Sequence, residues 1–138
     1  MVKVVRLAVQ TTGQGDVRNV TDEVISAVSN SEVCNGLLTV AVVGSTAAIT
    51  TIEFEPGAVA DFNNLLEQLA PRIGSYAHHE RWGDDNGSSH VRAALLGASV
   101  TLPVIESKPV LGQWQQLVMV ECDTRPRTRE IFIQLIGD

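Results

Sequence analysis

Apolar and polar positions alternate from the start of the chain: Val5, Leu7 and Val9 share one face and Arg6 and Ala8 the other, the period of a strand. Thr11-Thr12-Gly13-Gln14-Gly15 reads as a turn, which predicts a hairpin returning through Val17 to Val20. Thr21 has the hydroxyl of a helix N-cap, and Asp22 and Glu23 follow in the first turn, where carboxylates meet the positive end of the helix dipole. Val24, Ile25 and Val28 form the apolar stripe of that short helix, which ends near Asn30. The nearly continuous apolar run from Leu37 to Val43, interrupted only by Thr39, predicts a strand buried on both faces. Ala47 to Phe54 predicts another, rich in β-branched residues.

The strongest helical pattern follows Pro56-Gly57, where Val59, Phe62, Leu65, Leu66 and Leu69 recur at steps of three and four before Pro71 stops the run. Between Tyr76 and Ser89 the chain turns polar, rich in Gly and His, and reads as a loop. Ser88 or Ser89 then caps a short helix through Val91, Ala94 and Leu95, which Gly97 ends. Three more strands are expected, at Val100 to Ile105, Trp114 to Cys122 and Glu130 to Ile136. Many strands with two or three helices that do not strictly alternate with them indicate an α+β class, with mostly antiparallel sheets in a sandwich-like arrangement over residues 1–138 as a single domain. In the strand ending at Cys122, Leu117 and Met119 face one way and Val118 and Val120 the other, so both faces need a protein cover. A sandwich supplies it within one chain, a subunit interface between chains.

Composition narrows the partners. With 10 Lys and Arg against 16 Asp and Glu, the net charge of -6 disfavours a nucleic-acid binder, whose partner rewards a positive face. No apolar run approaches the roughly 18 to 20 residues that span a bilayer, so no membrane partner is expected, and the N-terminal pattern reads as a strand rather than a leader. Cys34 and Cys122 are distant and form no CxxC pair; they read as reduced, mostly buried thiols of a cytoplasmic protein.

Chemistry concentrates in one segment. All three histidines (His78, His79 and His90) lie within 15 residues that also carry Trp82, Asp84, Asp85 and Asn86. His78, Asp84 and His90 are candidates to converge on a metal, a phosphate or a transferable proton, and the bland alternative is a solvated loop. The spacing matches no HExxH or CxxC pattern. Gly44-Ser45-Thr46-Ala47, between two strands, offers hydroxyls and amides to an anion, or forms only a tight turn. Trp114, beside Gln115, either stacks on a planar ring or, by a small margin, fills core. Arg125, Arg127 and Arg129 make a candidate phosphate clamp in an otherwise acidic chain, with solvated turn residues as the alternative.

An ordered series of short matches resembles the YjbQ family of small proteins. It comprises Gly44-Ser45-Thr46-Ala47 through Glu53, then Trp82, Asp84, Asn86-Gly87 and Ser89-His90, then Leu95-Leu96-Gly97 with Ser99, and Leu102-Pro103. Leu111-Gly112, Trp114-Gln115, Glu121, Asp123 and the three arginines complete it. The resemblance implies a compact α+β fold assembled as a homotrimer. It also implies thiamine-phosphate synthase activity: a pyrimidine pyrophosphate joins a thiazole phosphate and pyrophosphate leaves. On that reading Arg125, Arg127 and Arg129, with Ser45, Thr46, Asn86 and Gln115, hold the phosphorylated substrate, and Trp114 or Trp82 holds the ring. His90 is the general acid or an electrostatic stabiliser, with His78 beside it, and Asp84 serves a divalent metal, Mg²⁺ or Zn²⁺, for which His78, Asp84 and His90 are the candidate ligands. Many members of the family carry His-Thr-Ser or His-Thr-Thr where Gly44-Ser45-Thr46 stands, so one imidazole of a three-His set is absent here, and Asp84 or Glu53 would have to replace it. The alternative is a non-catalytic homotrimer that binds a metal or a phosphorylated metabolite through the His-rich loop.

Overall fold

The computed structural model describes all residues 1–138. Its eight strands are β1 (Val2–Gln10), β2 (Val17–Asn19), β3 (Gly36–Val42), β4 (Ala47–Ile52), β5 (Ser99–Ile105), β6 (Lys108–Pro109), β7 (Gln116–Glu121) and β8 (Thr128–Gly137). Four helices accompany them: α1 (Thr21–Ser29), α2 (Pro56–Leu69), α3 (Ala77–Trp82) and α4 (Gly87–Leu96). Five strands form one antiparallel sheet in the order β1-β8-β3-β5-β6, and three form a second in the order β2-β7-β4. This is the α+β, largely antiparallel architecture that the strand count predicted.

The two sheets face each other across the main core. Leu38, Val40, Ile131, Ile133 and Leu135 of the large sheet meet Ile49, Leu117 and Met119 of the small one, and Val24 and Val28 of α1 close the side. The reverse face of the small sheet carries Ala48, Val118, Val120 and Cys122, covered by Leu66 of α2 and Ala93 of α4. Both apolar faces of β7 are therefore covered within one chain, which settles the choice between sandwich and interface for that strand.

Several local expectations are corrected. The Thr11–Gly15 turn does not close a hairpin: β1 pairs with β8 and β2 with β7, so the turn carries the chain from one sheet to the other. The Leu37–Val43 run is buried on one face only, because Leu37 lies on the open side of the large sheet while Leu38, Val40 and Val42 enter the core. Thr21 begins α1 rather than capping it; the Asn19 carboxamide accepts the Thr21 N–H at 3.0 Å. Ser88 and Ser89 lie inside the first turn of α4 rather than before it. The segment after Tyr76, read as a loop, contains the six residues of α3. Cys122 is buried, but Cys34 is exposed, and both thiols are free. Trp114 is 68% exposed, so it fills no core.

The α2 boundary follows the sequence closely. The Glu55 carboxylate accepts from the Gly57 and Ala58 N–H groups at 2.7 and 2.8 Å, and Pro56 occupies the first turn, where its missing N–H costs nothing. Those two backbone hydrogen bonds hold the Glu55 carboxyl below its usual pKa range.

Candidate functional site

The site gathers where β4 begins, β7 ends and β8 begins, beneath α3 and α4. On β7 and just beyond it, Glu121 and Asp123 are two residues apart, as are Arg127 and Arg129 on the return into β8; a period of two puts each pair on one side. Arg129 donates from Nε to Glu121 Oε1 at 2.8 Å and from Nη2 to Glu121 Oε2, with both side chains buried. Its Nη2 also donates to the Thr46 carbonyl at 3.0 Å and to Thr46 Oγ1 at 2.8 Å. Arg127 reaches Asp123 Oδ2 from Nε at 2.9 Å and Nη2 at 2.7 Å. The Thr46 hydroxyl donates to Asp123 at 3.2 Å and that of Thr11 to Glu121 at 2.7 Å, so the two carboxylates are heavily used. Burial pushes the Asp123 carboxyl up, but the Arg127 hydrogen bond, the Thr124 N–H and the Arg127 charge outweigh it and leave it below the ordinary range. At Cys122, between the two acids, burial and the neighbouring Glu121 charge push the thiol up to about 12, so it stays protonated near neutrality.

Above this base lies the histidine cluster. His78 is on α3, which ends at Gly83 in the left-handed region (φ 63°). That reversal, easy for a residue without Cβ, turns Asp84 back so that its Oδ1 lies 2.9 Å from His78 Nδ1. An ionised Asp84 only accepts, so Nδ1 is the donor and Nε2 is left free for other chemistry. The His90 ring, on α4, lies against His78 with centroids 4.5 Å apart and planes inclined by 36°. Asn86 bridges toward the acid base: with its amide turned one way the nitrogen is 3.5 Å from Asp123 Oδ1. Turned the other way it lies 3.3 and 3.2 Å from the Asp84 oxygens, an orientation that also separates its carbonyl from that carboxylate. His79 points elsewhere, its Nε2 accepting the Gly87 N–H at 2.9 Å.

A cleft of about 500 Å³ opens beside His90, walled by Gly44, Ser45 and Ala47 and by the small residues Ala93, Ala94 and Gly97. A groove of about 560 Å³ between β1 and α1, past Lys3 and Asp22, is larger but carries no cluster of catalytic side chains.

Of the residues singled out in the sequence, His78, Asp84, His90 and Asn86 are brought together, and Ser45, exposed, lines the same cleft as His90. The Thr46 hydroxyl, in contrast, is engaged by Asp123 and Arg129. The three arginines are not a free clamp: Arg127 and Arg129 are paired with acids, and Arg125 is exposed. Trp82 is exposed at the end of α3 with the Arg81 guanidinium over its ring. Trp114 and Gln115 precede β7 at its opposite end from Glu121, beside the end of β4, and Gln115 is used to hold that turn by accepting the Gly112 N–H and donating to Thr51. They do not meet His90 within one chain. Nor do His78, Asp84 and His90 form a three-donor group: Asp84 occupies one nitrogen of His78, and the imidazoles stack rather than converge. The residues that the sequence reading passed over as site members are Glu121, Asp123 and Thr11. The paired i, i+2 spacing of acids and arginines was the available signal.

Comparison with known proteins places this geometry. A family model described as UPF0047 protein YjbQ-like matches residues 5–138. The chain belongs to the YjbQ-like UPF0047 family. A UPF0047 protein of Methanocaldococcus jannaschii is 34% identical over 131 residues, covering 94% of this chain and 91% of the relative. The YjbQ protein of Escherichia coli O157:H7 is 29% identical over 121 residues, covering 86% and 87%. Among solved structures, a protein of unknown function from Sulfolobus solfataricus superposes with a TM-score of 0.89 at 31% identity and full coverage of both chains. A hypothetical protein of Aeropyrum pernix gives 0.89 at 29% identity, with 99% of each chain covered. The UPF0047 fold thus extends over the whole of the two-sheet core and the histidine cluster.

Proposed function

We propose that the protein acts on a phosphorylated small molecule held in the cleft beside His90, with the Asp84–His78 pair as its acid–base group. The observation that carries this reading is the pair itself. A carboxylate fixes one imidazole nitrogen, the second faces away from it, and a second imidazole lies against the ring. The reaction that the family resemblance implies suits such a group. The C–O bond from the pyrimidine methylene carbon to pyrophosphate breaks, the thiazole nitrogen forms the C–N bond, and the departing oxygen takes the electron pair. A protonated His78, or His90 beside it, offsets the charge developing on that oxygen. A divalent ion would add Lewis-acid stabilisation of the same charge, but His78, Asp84 and His90 do not fit one as they stand, since Asp84 occupies one nitrogen of His78 and the imidazoles do not converge.

The test is thiamine phosphate formation from the two heterocyclic substrates with Mg²⁺ by protein purified from a host lacking its own synthase. Native turnover is expected, and His78→Ala and His90→Ala are expected to lower it by roughly 100-fold or more with folding intact. Saturable ligand binding with no product over hours would favour the second reading, a non-catalytic homotrimer that binds a phosphorylated metabolite. The observation that favours that reading is Gly44, which leaves the cleft without a third imidazole.

A further inference from the structure

We infer that the phosphate of the ligand docks on the Gly44–Thr46 turn, against the free end of the Arg129 guanidinium. The inference rests on the phosphorylated-ligand reading above and fixes where the anion lies. Arg129 commits Nε and Nη2 to Glu121 and Thr46, but Nη1 has no acceptor in the chain. The side chain is more than nine-tenths buried, yet Nη1 is not sealed away from solvent. It emerges beneath Gly44, where a Cβ would lie only 2.9 Å from it. Gly44 also has φ of +129°, a conformation that L side chains rarely adopt. Glycine therefore leaves Nη1 uncovered beside the Gly44–Ser45 turn that walls the cleft.

The turn adds donors of its own. The backbone N–H groups of Gly44, Ser45 and Thr46 have no acceptor in the chain, whereas the flanking Val43 N–H donates to the Glu130 carbonyl at 3.0 Å. Three successive free N–H groups beside an uncommitted guanidinium nitrogen, with the Ser45 hydroxyl exposed next to them, offer one tetrahedral anion several donors within a short stretch of chain. His90 borders the same cleft, so an anion on the turn lies within the region served by the imidazole pair. Glu121 cancels the net charge of Arg129, so recognition depends on directed N–H groups at short range. The site therefore selects a phosphate or pyrophosphate group, not a cation.

The test is titration of the native protein with inorganic pyrophosphate, read by calorimetry and by backbone amide shifts. Saturable binding is expected, with the largest shifts at Gly44, Ser45 and Thr46. Gly44→Ala, which covers Nη1, is expected to weaken binding by at least about tenfold and, because its φ of +129° is strained for a residue with a Cβ, to lower the melting temperature as well. Should that variant fail to fold, Ser45→Ala serves instead; it removes one exposed hydroxyl and is expected to weaken binding a few-fold. Pyrophosphate binding that shifts His78 and His90 but spares the turn, unaffected by Gly44→Ala and Ser45→Ala, overturns this placement and leaves the phosphorylated-ligand reading standing. No saturable binding of phosphate or pyrophosphate by the native protein overturns both.

Discussion

Buried charge is the dominant residue-level feature of this small chain. Glu121 is fully buried and Arg129 nearly so, and each satisfies the other with two hydrogen bonds. Removing one partner strands the other without water, which costs about 3–5 kcal/mol. Glu121→Ala is therefore expected to lose stability on that scale in urea titration, whereas Glu130→Ala, an exposed neighbour, should change it little. Asp123 gives a pH dependence. Its folded pKa lies below the ordinary value, so its contribution is complete above the unfolded pKa near 4 and is lost as pH falls through the folded one. Urea midpoints should fall on acidification below about pH 4, and Asp123→Asn should flatten that part of the curve. The thiols differ in the same physical terms: Cys34 is exposed, while Cys122 is buried with its pKa pushed up to about 12. A native-state thiol reagent should modify one cysteine per chain, and two only after unfolding. Modification of both in the folded protein would contradict the packing around Cys122.

Elements show what periodicity could and could not disclose. The alternation in β1 and the 3.6-residue stripe of α1 are legible only in part. Leu7 and Val9 pack against the core and Val24 and Val28 are buried, but Val5 and Ile25 stay exposed. A period shows a face without showing how far the core reaches along it. The α2 stripe was read too wide: Leu66 is buried and Val59 and Phe62 pack against the small sheet, but Leu65 and Leu69 stay exposed. The hairpin reading of Thr11–Gly15 failed because a glycine-rich turn specifies a reversal, not the strand that pairs after it. In the site, the clustering of His78, Asp84 and His90 was visible as composition. Their pairing depends on Gly83 turning the chain at the end of a six-residue helix, and no hydrophobic period marks so short an element. Trp114 was misplaced because an indole between amides looks the same in a core as on an exposed turn. At this scale the Glu55 cap makes a prediction: Glu55→Ala should lower the melting temperature, and Glu55→Asp should restore part of it, since both carboxylates can accept the Gly57 and Ala58 N–H groups.

For the whole molecule, the open face of the large sheet matters most. Strand register lines Val2, Ile136, Leu37 and Pro103 in one row across β1, β8, β3 and β5, and no helix of the chain covers it. An exposed apolar row of this kind is a candidate contact surface for the homotrimer that the family resemblance implies, without itself fixing the number of copies. Light scattering should return three times the 14.8 kDa chain mass, and Leu37→Lys should shift it toward the monomer. A monomer at micromolar concentration would contradict the trimer. No helix is long and apolar enough to cross a membrane. The central claim, however, is that one Asp-oriented imidazole performs chemistry on a phosphorylated ligand. The most direct measurement compares thiamine phosphate formation by the native protein and by Asp84→Asn, which keeps the shape of the site but alters the His78 hydrogen bond. Turnover by the native protein that falls about 100-fold in the variant, with unchanged melting temperature, is the predicted result. Equal rates in both proteins, or none in either, would contradict it.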